Sequence, residues 1–130
     1  MKPPKDTTII ATPLANCWLE SRLMCVDNVN CDRTTVNVDL HYKILKGIVG
    51  ASKICWLKRF PACDRFNTAV RRLAATSLPG MCGALAIVTT KDSEPALVES
   101  YKELKRKGVP VEVFTQEREA RNWLLKNCES

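Results

Sequence analysis

The sequence predicts an α/β fold in which helices cover a mixed sheet, and the stretch from Ala84 to Leu125 supplies most of that prediction. Residues 84–90 are apolar and β-branched, as in a strand that is covered on both faces. Residues 94–107 place apolar side chains at helical spacing, and Gly108 follows where such a helix would end. Residues 111–114 form a second short strand, so the three elements predict a right-handed βαβ unit with parallel strands.

A last helix is expected to begin near Gln116. Its apolar side chains Ala120, Trp123 and Leu124 fall on one face at helical spacing. That face is expected to pack on the sheet, which predicts that Trp123 is largely buried.

The N-terminal part of the chain predicts a tail followed by a hairpin. Residues 1–14 begin with prolines and alternating charges, which are typical of a tail, and residues 7–12 are compatible with a short edge strand. Residues 15–19 and 22–27 are apolar runs separated by a polar pair, the pattern of an antiparallel hairpin. We expect residues 15–127 to form a single α/β domain.

The first long helix is predicted after a polar loop that spans residues 28–35. Apolar side chains recur at helical spacing over residues 38–49, Asn37 is placed to cap the N-terminus, and Gly50 is placed to end the helix. His41 falls on the apolar face. A single histidine there is more often a half-buried packing residue than a ligand or a base, and we interpret it so.

A short buried strand is predicted at residues 54–57, followed by a loop at residues 58–61. A second helix follows, with Arg71 and Arg72 on its outer face and apolar side chains on its inner face. Those inner side chains are Val70, Leu73, Ala74 and Leu78. The complete prediction is a sheet of four to five strands, an antiparallel hairpin followed by parallel strands, covered by four helices.

Length and composition indicate one cytoplasmic domain. With 130 residues, 45% of them hydrophobic and 26% charged, the chain is long enough to bury a core. No apolar run approaches the ~20 residues of a membrane helix, and the N-terminus has no signal-peptide pattern. The net charge of +6 is compatible with an acidic partner, but solubility alone explains it.

The seven cysteines are expected to be reduced. Their number is odd, they are scattered, and no pair has CxxC spacing, so small apolar fillers are the favoured interpretation. Cys63 is the best candidate for a reactive thiol, because it precedes a predicted helix and lies beside Arg65. No metal or cofactor is expected, since His41 is the only histidine in the sequence.

The sequence contains no catalytic signature. His41 has no cysteine placed near it, the carboxylates are spread over predicted helix faces, and the glycines form no phosphate loop. The basic run at residues 102–107 complements the dipole at a helix C-terminus. It has no interleaved aromatic side chains, so nucleic-acid binding is not expected.

Three stretches share their pattern with a known α/β family. Cys17 to Cys25 contains a Trp-Leu followed by a turn and a second strand, and Asn37 to Asp39 opens a helix. Val109 to Thr115 forms a strand that leads into the helix carrying Trp123. Over residues 15–126 the chain therefore resembles the SpoIIAA-like (STAS-like) fold, and specifically the small bacterial SpoIIAA-like proteins of unknown function.

The resemblance implies a non-enzymatic, regulatory domain that acts through contact with a protein partner. The fold is similar in outline to CRAL-TRIO domains, so a small-molecule or lipid-binding module is one alternative. A redox or thiol enzyme centred on Cys63 is another. Anti-sigma factor antagonists of this fold carry a phosphorylated serine, whereas the equivalent stretch from Lys58 to Thr68 has none. Asp64 could at most mimic its charge, and a homodimer is compatible with the sequence.

A binding surface is predicted at the carboxyl ends of the parallel strands, where successive loops converge. The candidate residues, which lie in the loops that follow two of these strands, are Lys58, Arg59, Asp64, Arg65 and Lys91. Basic side chains and helix N-termini both favour an anion, so we expect a protein partner's acidic group or a small anionic ligand there. The alternative is that these are solvated loop charges.

Overall fold

The computed structural model describes residues 1–29, 33–62 and 68–128, which form one six-stranded mixed sheet. The strands lie in chain order: β1 (Ile10–Ala11), β2 (Ala15–Glu20), β3 (Leu23–Asn28), β4 (Ile54–Arg59), β5 (Cys82–Val88) and β6 (Val111–Phe114). The first three pair antiparallel and the last four pair parallel. The predicted α/β class and the parallel pairing of the last three strands are confirmed.

The described residues contain one strand and one helix more than predicted. The helices are α1 (Thr35–Val49), α2 (Thr68–Ser77), α3 (Glu94–Ser100), α4 (Lys102–Arg106) and α5 (Glu117–Asn127). The single helix predicted at residues 94–107 is wrong, because the structure divides it at Tyr101. Ser100 Oγ donates to the carbonyl oxygen of Ala96 at 2.7 Å, a back-bond that often bends helices.

β4 is longer than predicted and ends at Arg59 rather than Leu57. Lys58 pairs with Val26 on β3, and Arg59 pairs with Asp27. Both residues are therefore strand residues, and their assignment to a loop was wrong. Successive side chains on a strand point to opposite faces, so Lys58 and Arg59 lie on different sides of the sheet.

The first helix begins earlier than predicted. The side chain of Thr34, not Asn37, caps α1, since its hydroxyl accepts a hydrogen bond from the backbone N–H of Asn37 at 3.1 Å. The predicted end of the helix is confirmed. Gly50 follows α1 with a φ of 71°, a conformation that glycine adopts without strain.

The helices divide between the two faces of the sheet. α1, α2, α3 and α4 pack on one face, where they share a core with Trp56 of β4. α5 covers the other face, with Ala120 and Leu124 buried against it. Trp123 packs against the core on this face, as predicted, but part of its surface stays exposed. Its ring lies 6.1 Å from that of Phe114.

The cysteines correct a second expectation. Cys55 and Cys128, which are 73 residues apart, form a disulfide with a Cα–Cα distance of 6.0 Å. A sequence separation that long carries no spacing signal, so the expectation of reduced thiols was wrong for this pair. Cysteines 17, 25 and 82 are free and buried, as apolar fillers would be. Cys31 and Cys63 lie outside the described residues, so a reactive Cys63 stays a prediction.

Candidate functional site

The carboxyl ends of β3 to β6 lie at one edge of the sheet, and two side-chain hydrogen bonds link the ends of β3, β4 and β5. Asn28 donates its side-chain N–H to the carbonyl oxygen of Arg59 at 2.9 Å. Thr89 donates its hydroxyl to the carbonyl oxygen of Phe60 at 3.2 Å. These bonds satisfy backbone oxygens where the strands end. The edge is therefore a defined structure that positions the residues leaving each strand.

The structure does not bring the predicted site residues together on one surface. Lys58 points into the core beneath α1, whereas Arg59 points to the opposite face and forms an ion pair with Asp27. Lys91 is exposed in the turn before α3. Asp64 and Arg65 lie outside the described residues. Of the placed members, Lys58 alone is buried in the core.

Lys58 is a buried cation among aromatic rings, with 2% of its surface exposed. Its Nζ donates to the hydroxyl of Tyr42 at 2.9 Å and lies 4.8 Å from the centre of the same ring. The rings of Trp56 and Tyr101 are each 5.6 Å from Nζ. Cation–π contacts stabilise an ammonium, but they carry no neutralising negative charge.

No acidic side chain neutralises Lys58 within the described parts of the chain. All the ion pairs found there involve other cations. Asp27, on the neighbouring strand β3, forms its ion pair with Arg59 on the opposite face of the sheet. A second cation is close by, since Arg33 places its guanidinium 4.7 Å above the ring of Phe60. Burial lowers the pKa of Arg33, as expected for a cation removed from water.

The pKa values of neighbouring groups show that this region is positive. Burial, assisted by the charges of Lys58 and Arg33, lowers the pKa of His41 to about 3. Burial raises the pKa of the Cys17 and Cys82 thiols to about 12, and the Lys58 charge opposes the shift in both. Burial is the largest cause of each shift, and the charges of Lys58 and Arg33 add a smaller contribution that disfavours a further cation and partly offsets the cost of a buried anion.

A small cavity of about 10 Å³ lies between α1, α2 and α3, and Tyr42, the hydrogen-bond partner of Lys58, is one of its lining residues. Its polar lining comes from Arg33, Tyr42, Arg71, Ser100 and Tyr101. The Nε atom of Arg71 is buried and has no hydrogen-bond partner in the described part of the chain. A cavity of this size holds about one water-sized group.

We call Lys58, Arg33 and Arg71, together with Tyr42 and Tyr101, the buried cation cluster. Its ammonium, guanidinium and hydroxyl groups are hydrogen-bond donors, the set that an anion needs.

Sequence reasoning missed most of this cluster because it treated Lys58 as a loop residue. Two signals were available. Tyr42 lies on the apolar face of the first predicted helix, and Tyr101 lies on the apolar face of the third. Extending β4 by two residues would have placed Lys58 on the same face as Trp56, beneath those tyrosines. Arg33 carried no signal, because it follows β3 in an irregular segment.

Neither His41 nor the free cysteines in the described regions are placed for catalysis. His41 shares a 2.7 Å hydrogen bond between its Nδ1 and the hydroxyl of Thr12, and its lowered pKa makes it a weak base. Cys17 and Cys82 have raised pKa values, which suppress the thiolate that a nucleophile requires. Across residues 1–29, 33–62 and 68–128, no three His, Cys, Asp or Glu side chains are grouped to hold a metal ion.

Comparison with known proteins gives one match. A family model described as a domain of unknown function (DUF7793) matches residues 42–127, a span that includes Tyr42, Lys58, Arg71 and Tyr101. No curated protein and no solved structure matches the chain. The resemblance to SpoIIAA-like proteins stays a prediction. None of the helices in the described regions has the length and apolarity to cross a membrane, and a cytoplasmic location also stays a prediction.

Proposed function

The chain belongs to the DUF7793 family of domains of unknown function, and for this member we propose a non-enzymatic domain that binds a small anion in its buried cation cluster. The observation that supports the proposal is Lys58, which is 2% exposed and has no ion pair within the described residues. Removing an ammonium from water costs several kcal/mol after relaxation, and hydrogen bonds to the neutral hydroxyls of Tyr42 and Tyr101 offset only part of that cost. A bound anion would supply the missing charge.

The size of the cavity sets the size of the bound group. With room for about one water-sized group, it suits a single small ion such as chloride, and a carboxylate enters it only if a neighbouring side chain moves. A phosphate with four oxygens does not fit without movement of α1 or α2. The buried Nε of Arg71 is a donor with no partner in the described part of the chain, and it lines this cavity. An anion placed there would satisfy it.

Anion titration of the purified protein tests the proposal. Thermal unfolding is followed at constant ionic strength while chloride, formate or octanoate replaces a bulky sulfonate that cannot enter the cavity. Chloride and formate should raise the melting temperature and saturate, since a ligand at 100 times its dissociation constant stabilises by about 2.7 kcal/mol. A larger effect of octanoate than of formate would identify the anionic end of a lipid-like ligand. Indifference to all three anions would overturn the proposal.

A matched pair of lysine variants makes the test specific. Lys58→Met removes the buried charge and should abolish the response to chloride and formate. Lys91→Met removes an exposed charge from a nearby turn and should leave that response unchanged. Equal responses in the two variants would show that anions act on the surface rather than in the buried cation cluster.

A second candidate function, contact with a protein partner, is favoured by the outer surface of α1. Val36, Leu40 and Ile48 are 73%, 46% and 39% exposed, and their spacing in multiples of four places them on one ridge. Gly47 lies beside that ridge with open space around it, which would permit close approach of another helix. The net charge of +6 favours a partner whose helix carries acidic side chains beside its apolar ridge.

Site-specific crosslinking tests this second candidate. A photoreactive amino acid at Leu40, in cells that make the protein naturally, should capture one protein through an amphipathic, acidic helix. The same amino acid at Val98, an equally accessible apolar position on α3, is the control and should not capture it. Crosslinks between two copies of this chain would instead identify a homodimer, and equal capture at both positions would contradict a specific interface.

A further inference from the structure

The Cys55–Cys128 disulfide lies in the wall of an open groove on the α5 face of the sheet. The groove has a volume of about 590 Å³, within the range of small-molecule sites. Leu23 and Leu124 give it apolar surface, and its charged lining residues are Arg22, Arg121 and Glu20. It is separated from the buried cation cluster by the sheet, so nothing in the proposed function depends on it.

The two cysteines of the disulfide differ in exposure. Cys55 is 4% exposed in the centre of the sheet, whereas Cys128 is half-buried just after the end of α5. Both line the groove, and the more exposed residue, Cys128, is the one whose sulfur we take as the point of attack, with the sulfur of Cys55 as the leaving group. Attack by a thiolate on a disulfide sulfur is the elementary step of thiol–disulfide exchange.

The free cysteines elsewhere in the described chain are poor competitors for this chemistry. Burial raises the pKa of Cys17 and Cys82 to about 12. Burial also raises the pKa of Cys25, and its Sγ donates to the carboxylate of Glu20 at 3.1 Å, which favours the protonated thiol. Thiol exchange requires a thiolate or an accessible disulfide, and these three residues offer neither.

The groove also selects the kind of thiol that enters it. Arg121 is already paired with Glu20 and with Glu117 through its guanidinium. Arg22 is exposed and takes part in no ion pair among the residues that the structure describes. An exposed guanidinium attracts a carboxylate. The charge of the groove therefore favours a small thiol that carries carboxylates over one that carries an amine.

We propose that Cys128 is a thiol-exchange site for small, carboxylate-bearing thiols. The incoming thiolate forms a sulfur–sulfur bond to Cys128, the Cys55–Cys128 bond breaks, and its electron pair leaves on Cys55, which then takes a proton from water. A second molecule of the thiol attacks the mixed disulfide, forms the oxidised thiol dimer and leaves Cys128 reduced. Two thiols are oxidised and one protein disulfide is reduced.

Exchange at this position releases the end of α5 from β4. The backbone N–H of Cys128 donates to the carbonyl oxygen of Leu124 at 2.8 Å. The disulfide is therefore attached to the last hydrogen-bonded turn of α5. Leu124 lies beneath that turn in the wall of the groove, and Leu125 beside it is 82% exposed. Once the covalent tie is broken, this turn can fray and the groove can widen.

The test is a kinetic comparison of two thiols on the full-length protein. Glutathione, whose two carboxylates outweigh its one ammonium, and 2-aminoethanethiol, whose only charge is an ammonium, are added at equal thiolate concentration and the reaction is quenched with acid. Peptide mass mapping should locate the first adduct on Cys128, formed several-fold faster by glutathione. Arg22→Glu should reverse or abolish that preference without changing the circular dichroism spectrum.

Two results would overturn the proposal. One is a freshly purified protein, kept in air, in which Cys55 and Cys128 are both alkylated without prior reduction. The other is a first adduct at any cysteine other than Cys128 in the wild-type chain. Cys128→Ser is the control for the mapping, because it removes the attacked sulfur and should eliminate the glutathione-preferring reaction.

Discussion

Replacing Lys58 with methionine separates the cost of its buried charge from the value of its hydrogen bond. Methionine has an unbranched chain that fills irregular apolar space, so the rings of Trp56 and Tyr101 keep a packing partner. Two effects oppose each other. The Tyr42 hydroxyl loses the donor that lies 2.9 Å away, which costs about 1–3 kcal/mol for a buried polar group. The chain also no longer buries an ammonium, and replacing buried ions by apolar groups often stabilises by about 1–4 kcal/mol.

These magnitudes predict that the anion changes the stability of the variant relative to the wild type. Without a small anion, the two effects place Lys58→Met between about 2 kcal/mol less stable and about 3 kcal/mol more stable than the wild type. With the anion at 100 times its dissociation constant, the wild type gains about 2.7 kcal/mol that the variant cannot gain. The difference in stability between the two proteins should therefore shift by about 2.7 kcal/mol in favour of the wild type.

Urea unfolding, followed by tryptophan fluorescence, measures this change. Urea is uncharged, whereas guanidinium chloride would itself supply the anion. Each protein is unfolded in a bulky sulfonate buffer and in sodium chloride of the same ionic strength. Removing one partner of a buried ion pair costs about 3–5 kcal/mol. If Lys58→Met loses that much stability equally in both buffers, a group of the protein itself neutralises Lys58, and the reasoning is refuted.

Three further predictions concern stability and are measured by urea unfolding. Burial holds the pKa of His41 at about 3 against 6.5, so the unfolded chain binds the proton first and stability falls as pH falls below 6.5, by about 1.4 kcal/mol per pH unit. His41→Gln should make stability nearly independent of pH between 6.5 and 4.5. The lowered pKa of Glu20 affects stability only below that range. If the slope is unchanged in the variant, other groups cause it. Trp123→Ala should cost about 1–3 kcal/mol, below the 3–5 of a fully buried tryptophan, and a larger loss would show deeper burial. Cys128→Ser should cost about 4 kcal/mol, because the disulfide closes a loop of 73 residues, and a loss near zero would indicate that the bond does not constrain the unfolded chain.

The sheet could be predicted from the sequence because its signals are local. The apolar, β-branched run at residues 84–90 and the helical spacing that follows it identify a βαβ unit without knowledge of any distant contact. Gly50 identifies the end of α1 for the same reason, since a left-handed residue after a helix is favourable for glycine alone among common residues. Each of these features depends on neighbours within one or two turns.

The candidate site could not be predicted because it depends on contacts between distant residues. A lysine at the end of an apolar run normally marks the start of a loop, and the partners that hold Lys58 in the core include Tyr42, 16 positions earlier, and Tyr101 on a later element. The disulfide joins Cys55 to Cys128 across 73 positions, and neither cysteine belongs to a spacing motif such as CxxC that would indicate its partner. Arg59 was placed on the wrong surface by a single error in the end of β4.

The central claim, an anion held in the buried cation cluster, is tested most directly by crystallography with bromide. A crystal grown from sodium bromide reveals the ion by its anomalous scattering. The account predicts one strong peak in the cavity between α1, α2 and α3, within hydrogen-bonding distance of Arg71 Nε or the Tyr42 hydroxyl, and no such peak in Lys58→Met. A water molecule in that cavity, with bromide only on the exposed surface, would contradict it.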